Sequence, residues 1–509
     1  MSRAAVALAL MAALTACSGP RKDGTVANSS EGGAGVVRLP VPDDPTVTFK
    51  VWFRVGSQDD PPGKAGLANL TAQMLASAAT TRNAYEEVLR QLYPLASAYE
   101  IEVDREMTVL SGRTHRDNVE RFLGLYADAL ARPAFKTEDF ARLKSDTLNY
   151  LKTRLRYESD EELAKAALYG FVFDGTGYRH PPEGTVAGLE AITLDDVRTF
   201  YREHFTRDTA VPAIGGGFDA ALEQRFLAAV AELPQGRPAT APAPQPASIE
   251  ASQVLLVSKP GADASISFGY PIDVKRGSRE FYALWVANSW LGEHRSSSSH
   301  LFQVIREARG LNYGDYSYIE AYPRGGRREV PPPHVGRRSQ LFEVWIRTLP
   351  ANQAHFAVRA ALREVQALAE RGLTAEQFEL TRTFLQKYVL HFAEATGDRL
   401  AYAVDDRFYG IEPPGHLERF RKVLGELTLD EVNAAARKYL RADRVKFAVV
   451  TGDAEGLRQA LATDAPSPIE YKSPKPQAVQ DEDREIARFP AKVAESAIHV
   501  VPVTEVFER

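Results

Sequence analysis

Two stretches of this chain repeat one plan. "ITLDDVRTFYREHFTRDTAVPAIGGGFDAAL" begins at Ile192 and "LTLDEVNAAARKYLRADRVKFAVVTGDAEGL" begins at Leu427; they align without a gap at a constant offset of 235 residues. Thr193 meets Thr428, Asp195 meets Asp430, Val197 meets Val432, Gly217 meets Gly452 and Leu222 meets Leu457. Each copy opens on a helix-capping Thr, continues as a helix and ends in an apolar strand. Between them lies "LPQGRPATAPAPQPAS", Leu233 to Ser248, whose Pro and Ala content marks an extended linker. An ungapped match of this length around such a linker reads as a duplicated domain, so the chain folds as two similar halves.

The first half alternates element types. "TVTFKVWFRV" places Val47, Phe49, Val51, Phe53 and Val55 on one face and Thr48, Lys50, Trp52 and Arg54 on the other, the pattern of a half-buried strand. "GLANLTAQML", Gly66 to Leu75, follows as a helix with Leu67, Leu70, Met74 and Leu75 on its apolar face. Asn69, Ala72 and Gln73 sit beside that face at i, i+3 and i+4. Helical periodicity returns over Tyr85 to Leu92, Arg116 to Ala131, Thr137 to Arg156 and Glu161 to Tyr169. In the second half "ISFGYPID" reads as a strand and "EFYALWVANSWLG" as a helix.

The ends carry a different message. "MSRAAVALALMAALTAC" has an early Arg3, an apolar run and Leu14-Thr15-Ala16-Cys17, which matches a secretory signal ending in a bacterial lipobox. Cys17 is the only cysteine, so no disulfide framework exists, and it is the expected lipidation site; a plain signal peptide with an incidental cysteine is the alternative. Ser18 after it favours outer-membrane sorting, by resemblance to bacterial lipoproteins, and places the chain on the periplasmic side of the envelope. The resulting plan is a signal over 1–16, a flexible tether over 17–37, a first half over 38–232, a linker over 233–250, a second half over 251–465 and a polar extension over 466–509, expected to be loosely packed. With 44% hydrophobic residues and a net charge of -5 spread without blocks, nothing favours nucleic acid. The basic, proline-rich run Tyr322 to Arg338 reads as a solvated loop in preference to an anion site.

Three segments in order resemble the pitrilysin/insulinase family of zinc metallopeptidases. They are "VWFRVGSQDDPPGKAGLANLTAQML", "YGFVFDGTGYRHPPEGTVAGLEAITLDDVRTFYREHFT" and "SSSHLFQVIREARGLNYGDYS", and the resemblance runs from about Val37 to Ala462. It implies an α+β fold of two homologous halves, each a mostly antiparallel sheet flanked by helices, arranged as a clamshell around a peptide. In active members the first helix carries H-x-x-E-H, with two His on one helical face as zinc ligands and the Glu as base on the metal-bound water. Here those positions hold Asn69, Ala72 and Gln73. An amide is a poor zinc ligand beside imidazole, and alanine transfers no proton. The third family ligand is a downstream carboxylate, yet "LNYLKTRLRY", Leu148 to Tyr157, contains no acid. The chain is therefore expected to bind no zinc.

No substitute presents itself. "HFAEA" at His391 reads as an ordinary helix segment, and "GEHRSSSSH", with Glu293, His294 and His300, as a solvated loop. There is no G-x-S-x-G elbow and no P-loop. What remains is "REARGLNY". By residue pattern alone, Arg306 is a surface charge and Tyr313 a core aromatic. By resemblance, the two reach the substrate backbone and steady the oxyanion, as fixed donors where negative charge develops. Some bacterial family members are heterodimers in which one subunit brings zinc and the other brings this pair. The resemblance thus implies a zinc-free subunit with peptide as substrate, a zinc-bearing homologous partner, and a lipid anchor as the sole membrane contact. The alternatives are a non-catalytic scaffold or peptide-binding protein of the same fold and, less favoured, a stand-alone hydrolase.

Overall fold

In a computed structural model the described residues are 27–28, 35–236, 240–471 and 473–509. The expected signal peptide and Cys17 lie outside them. The first half runs β1 (Ala27–Asn28), β2 (Val37–Pro40), β3 (Thr46–Phe53), α1 (Leu67–Ala76), α2 (Tyr85–Leu92), β4 (Ala98–Val103), β5 (Thr108–His115), α3 (Val119–Ala131), α4 (Thr137–Asn149), α5 (Asp160–Val172), α6 (Val186–Ala191), α7 (Leu194–His204), β6 (Ala210–Gly216) and α8 (Ala220–Ala231). The second runs β7 (Gln253–Ser258), β8 (Ala264–Ile272), α9 (Arg279–Gly292), β9 (Asp315–Tyr318), β10 (Gln340–Leu349), α10 (Ala354–Arg371), α11 (Ala375–Tyr388), α12 (Thr396–Tyr409), α13 (His416–Glu426), α14 (Leu429–Tyr439), β11 (Lys446–Thr451) and α15 (Ala454–Thr463). After it come α16 (Gln477–Ile486) and β12 (Ile498–Pro502).

The duplication governs the topology. One six-stranded sheet has the order β1-β2-β6-β3-β5-β4, the other β12-β7-β11-β8-β10-β9, so β2-β6-β3-β5-β4 and β7-β11-β8-β10-β9 correspond, whereas the outer strands β1 (antiparallel to β2) and β12 (parallel to β7) come from opposite ends of the chain. β2–β6 and β7–β11 pair parallel, whereas β6–β3–β5–β4 and β11–β8–β10–β9 pair antiparallel. The repeated helices α7 and α14 start the same way: Thr193 and Thr428 each accept a backbone N–H three residues on, and Asp196 and Glu431 reach back to close a capping box. This two-sheet α+β architecture agrees with the sequence reading.

One expectation needs correction at β3. Its alternation implied a polar outer face, yet Thr48, Lys50 and Trp52 are buried. The cover comes from the other half. Leu400, Ala403 and Val404 of α12 pack on Val37, Leu39, Trp52, Met107, Val109 and Val211 of the first sheet. Reciprocally, Leu163, Ala164, Ala167 and Leu168 of α5 share a core with Val257, Leu341, Ala448 and Val450 of the second sheet. Because α5 and α12 are equivalent helices of the two copies, each half lends the same helix to the other's sheet, and the halves touch through apolar surface.

The extension also differs from its expected loose packing. α16 lies on α10, and β12 adds to the second sheet parallel to β7. The chain then returns to the first half, where Val503 and Val506 join its core. Val186 and Ala187 donate their N–H groups to the carbonyls of Phe507 (3.0 Å) and Glu508 (2.9 Å). Arg156 donates twice to the Val506 carbonyl, at 3.0 and 2.7 Å. Backbone groups satisfied in this way tie the extension to both halves. The expected tether likewise contributes Ala27 and Asn28, paired antiparallel with Val37 and Arg38.

Candidate functional site

Helix α1 starts at Gly66, whose φ of +103° belongs to the left-handed region; a Cβ there would stand 2.7 Å from the Glu183 carbonyl. Glycine carries no capping side chain, so Asp60 supplies one from upstream. Its carboxylate accepts the N–H groups of Gly66 (2.6 Å) and Ala68 (2.7 Å). Burial pushes the Asp60 carboxyl up to about 8, against the pull of those donors. The helix is then enclosed by α3, α4, α7 and β4.

The three positions on this helix do not fit a metal. Asn69 is 8% exposed, and Ala72, at 0%, belongs to the hydrophobic core and not to a face beside it, which corrects the sequence reading. Gln73 is half-buried and its amide oxygen lies 3.5 Å from the Ser77 hydroxyl as that group's acceptor. The segment Leu148 to Tyr157 is a π-helical turn over Tyr150–Leu155 and brings no carboxylate. Two amides and a methyl cannot reproduce a tetrahedral nitrogen and carboxylate set. Among the described residues no three His, Cys, Asp or Glu side chains gather as metal ligands elsewhere.

The basic run over Tyr322 to Arg338 lies against this half, which overturns its reading as a solvated loop. The Arg337 guanidinium grips Asp104 through two hydrogen bonds of 2.7 and 2.6 Å, with side-chain exposures of 2% and 7%. Arg338 pairs with Glu106, and His334 with Glu102 at 2.7 Å. Arg324 lies 3.5 Å from Glu183, and the Gly326 N–H donates to Glu162 at 3.0 Å. A cationic segment of the second half is thus laid along an acidic one of the first. The Ser-rich segment departs from expectation in the same way. Glu293 and His294 are buried, His294 among Tyr316, Tyr318, Tyr322 and Trp345, while His300 pairs with Glu364 at 2.6 Å. His391 lies in a short 3-10 turn and pairs with exposed Glu394 at 2.6 Å.

Arg306 and Tyr313 come together. Arg306 sits on a second π-helical turn, Phe302–Glu307, and the chain reverses through Gly310, at φ +71°. The Arg306 guanidinium then stands 5.9 Å from the centre of the Tyr313 ring, within cation–π range. Tyr313 is not a core aromatic: it is 78% exposed. No hydrogen bond or ring contact among the described residues joins this pair to Asn69, Ala72 or Gln73. π-helical turns recur at functional sites, and these two fall on the carboxylate-poor segment and on the Arg/Tyr segment, a feature no side-chain periodicity announced. A cavity of about 530 Å³ lies wholly in the C-terminal extension, lined by Ile469, Tyr471, Lys475, Asp483 and Arg484 among others, apart from both sets.

Known proteins place this architecture. A family description reading "Insulinase (Peptidase family M16)" matches residues 36–170, and "Peptidase M16 inactive domain" matches residues 191–385. An uncharacterized zinc protease of Streptomyces coelicolor is 25% identical over 382 residues, covering 74% of this chain and 78% of that protein. A Helicobacter pylori protein named a non-peptidase homolog is 22% identical over 405 residues, covering 78% and 87%. Among solved structures, a peptidase M16 inactive domain from Pseudomonas fluorescens superposes with a TM-score of 0.73 at 23% identity, covering 84% of this chain and 97% of the other. A protease from Helicobacter pylori superposes at 0.70 with 15% identity, covering 84% and 99%.

Proposed function

The chain belongs to the M16 insulinase family of peptidases, and we propose that within it this protein is a zinc-free subunit that completes the site of a zinc-bearing homologous partner. The observation that carries the reading is the contrast between the two halves. The first holds neither ligand nor base at Asn69, Ala72 and Gln73, whereas the second brings the half-buried Arg306 to within 5.9 Å of the ring of the solvent-exposed Tyr313. A guanidinium and a phenol held side by side are donors suited to a peptide carbonyl and to the oxyanion that forms when it is attacked. Zinc in the partner would supply the activated water; this chain's residues bind the peptide backbone and stabilise developing charge. In this reading Cys17 carries the lipid that holds the complex on the periplasmic side of the outer membrane.

The test is reconstitution. Alone, the purified chain binds no zinc and cleaves no peptide; mixed with its zinc-bearing homologue it raises peptide cleavage. Arg306→Ala and Tyr313→Phe each lower that activity about 100-fold or more, the usual cost of an oxyanion donor. Full activity in both variants refutes the role of the pair. The second reading, a non-catalytic peptide-binding scaffold, is favoured by the name of the non-peptidase homolog in Helicobacter pylori. It predicts peptide binding that Arg306→Ala weakens, and no gain in cleavage on adding any zinc-bearing relative.

A further inference from the structure

Midway between Arg306 and Tyr313 stands Arg309, and its side chain points away from solvent into the C-terminal extension. Arg309 has a side-chain exposure of 0%. Its Nε donates to Asp483 at 2.8 Å, one terminal nitrogen to Glu482 at 2.7 Å and the other to the Val304 carbonyl at 2.7 Å. The second Asp483 oxygen accepts the Tyr471 hydroxyl at 2.8 Å, and Glu482 is held from behind by Arg363 at 2.9 Å. One residue earlier, Lys475 donates to the Ala308 carbonyl at 2.8 Å. The extension therefore grips two consecutive residues of the segment that joins Arg306 to Tyr313. At the loop's far end the buried Asn312 amide donates to Asp315 at 2.7 Å and to the Arg347 carbonyl at 3.1 Å.

The exposed pair needs such support. Tyr313 has little packing of its own, and the loop passes through a glycine in the left-handed region. A donor pair stabilises a carbonyl or an oxyanion only if it is already aimed when the peptide arrives. A buried guanidinium answered by two carboxylates is costly to break, because either partner left alone is an uncompensated buried charge. We propose that Arg309, Asp483 and Lys475 are positioning residues, through which the C-terminal extension holds the Arg306–Tyr313 pair in the geometry that engages peptide. The proposal rests on the peptide-binding role assigned above to that pair, and it makes the 466–509 extension part of the functional unit.

The experiment uses the full chain and two readouts. Amide hydrogen exchange over residues 306–314 reports the loop itself, and fluorescence anisotropy of fluorescein-labelled unfolded casein reports engagement of peptide. Asp483→Asn and the milder Lys475→Met are compared with Arg306→Ala, and Asp483→Glu is the conservative rescue. The expected result is exchange about tenfold faster over 306–314 in Asp483→Asn and Lys475→Met. Casein affinity falls as far as in Arg306→Ala, the thermal midpoint of Lys475→Met stays near the parent's, and Asp483→Glu restores both readouts. Parent-like affinity in both extension variants, with affinity lost in Arg306→Ala, overturns the positioning role and leaves the pair's own role standing. Parent-like affinity in Arg306→Ala overturns the role of the pair and the proposal with it, so the Arg306→Ala affinity separates the two failures.

Discussion

Removing the Asp104 carboxylate tests whether the basic segment holds the halves together. In Asp104→Ala the Arg337 guanidinium stays buried against the Tyr169 ring, 4.8 Å away, and loses both of its carboxylate bonds. Its remaining terminal nitrogen already lacks a partner among the described residues. A charge stranded in this way costs about 3–5 kcal/mol. The shift in thermal midpoint then depends on what melts as a unit. Unfolding entropy is about 2.1 cal/mol/K per residue, so the roughly 470 described residues melting together lose about 3–5 °C, whereas a first half of roughly 200 residues melting alone loses about 7–12 °C. Scanning calorimetry at pH 7 distinguishes the two by both the shift and the number of transitions. The exchange of α5 and α12 between the sheets favours one transition and the smaller shift. Arg337→Met added to Asp104→Ala restores most of the loss, because it removes the stranded charge. A midpoint lowered by less than about 1 °C in Asp104→Ala, or no recovery in the double variant, refutes the reasoning.

Three further outcomes follow from the same geometry. Asn69→His, Ala72→Glu and Gln73→His combined take up no stoichiometric zinc by elemental analysis. They also destabilise the chain by about 3 kcal/mol or more in urea melts, because a glutamate at Ala72 puts a carboxylate into the core. Partial burial raises the Glu102 carboxyl, but the His334 hydrogen bond and charge, with Arg328 and Lys50, outweigh it and hold the group at about 2. A depressed carboxyl contributes stability above its unfolded value near about 4.3 and loses it as pH falls toward 2. Glu102→Gln therefore flattens the acid limb of a stability–pH profile over that window, and an unchanged limb refutes the coupling. Arg156→Met leaves the Val506 carbonyl without either of its side-chain donors, so hydrogen exchange over residues 503–508 rises while that of β12 holds.

The duplication was legible because a repeated capping box and strand are local patterns, and the matched strand orders of the two sheets follow from it. What escaped were features whose partners lie far along the chain. Lys50 and Trp52 alternate as if for solvent, and the helix that covers them begins at Thr396. The run from Tyr322 to Arg338 looked solvated because its acidic partners are more than 100 residues upstream. Three of those partners had a signal of their own: Glu102, Asp104 and Glu106 fall at every second residue, starting on β4 and running just past its end. An acidic row of period two and a distant basic run are a complementary pair. Burial of Ala72 was not legible, since a helix enclosed on several sides and one with a single buried face share the same apolar stripe.

The exchanged helices also decide where a peptide can be enclosed. A chamber opening between the two halves of this chain would draw α12 off the first sheet and α5 off the second. Trp52, Val109 and Val211 would be uncovered on one side and Leu341, Ala448 and Val450 on the other, together with the apolar faces of both helices. It would also break the Arg337–Asp104 pair and pull the extension from Val186 and Ala187. Each of these opposes opening, and apolar surface costs about 25 cal/mol for every Å² returned to water. The contacts favour the halves moving as one body, and under the proposed function the surface that meets a peptide is the one that carries Arg306 and Tyr313. Under that proposal the wall facing the pair comes from outside the chain. This supports a search for a homologous partner over a search for a hinge, and crosslinking from position 313 in intact cells would test it. Crosslinks confined to the chain's own first half would mean that the halves do open.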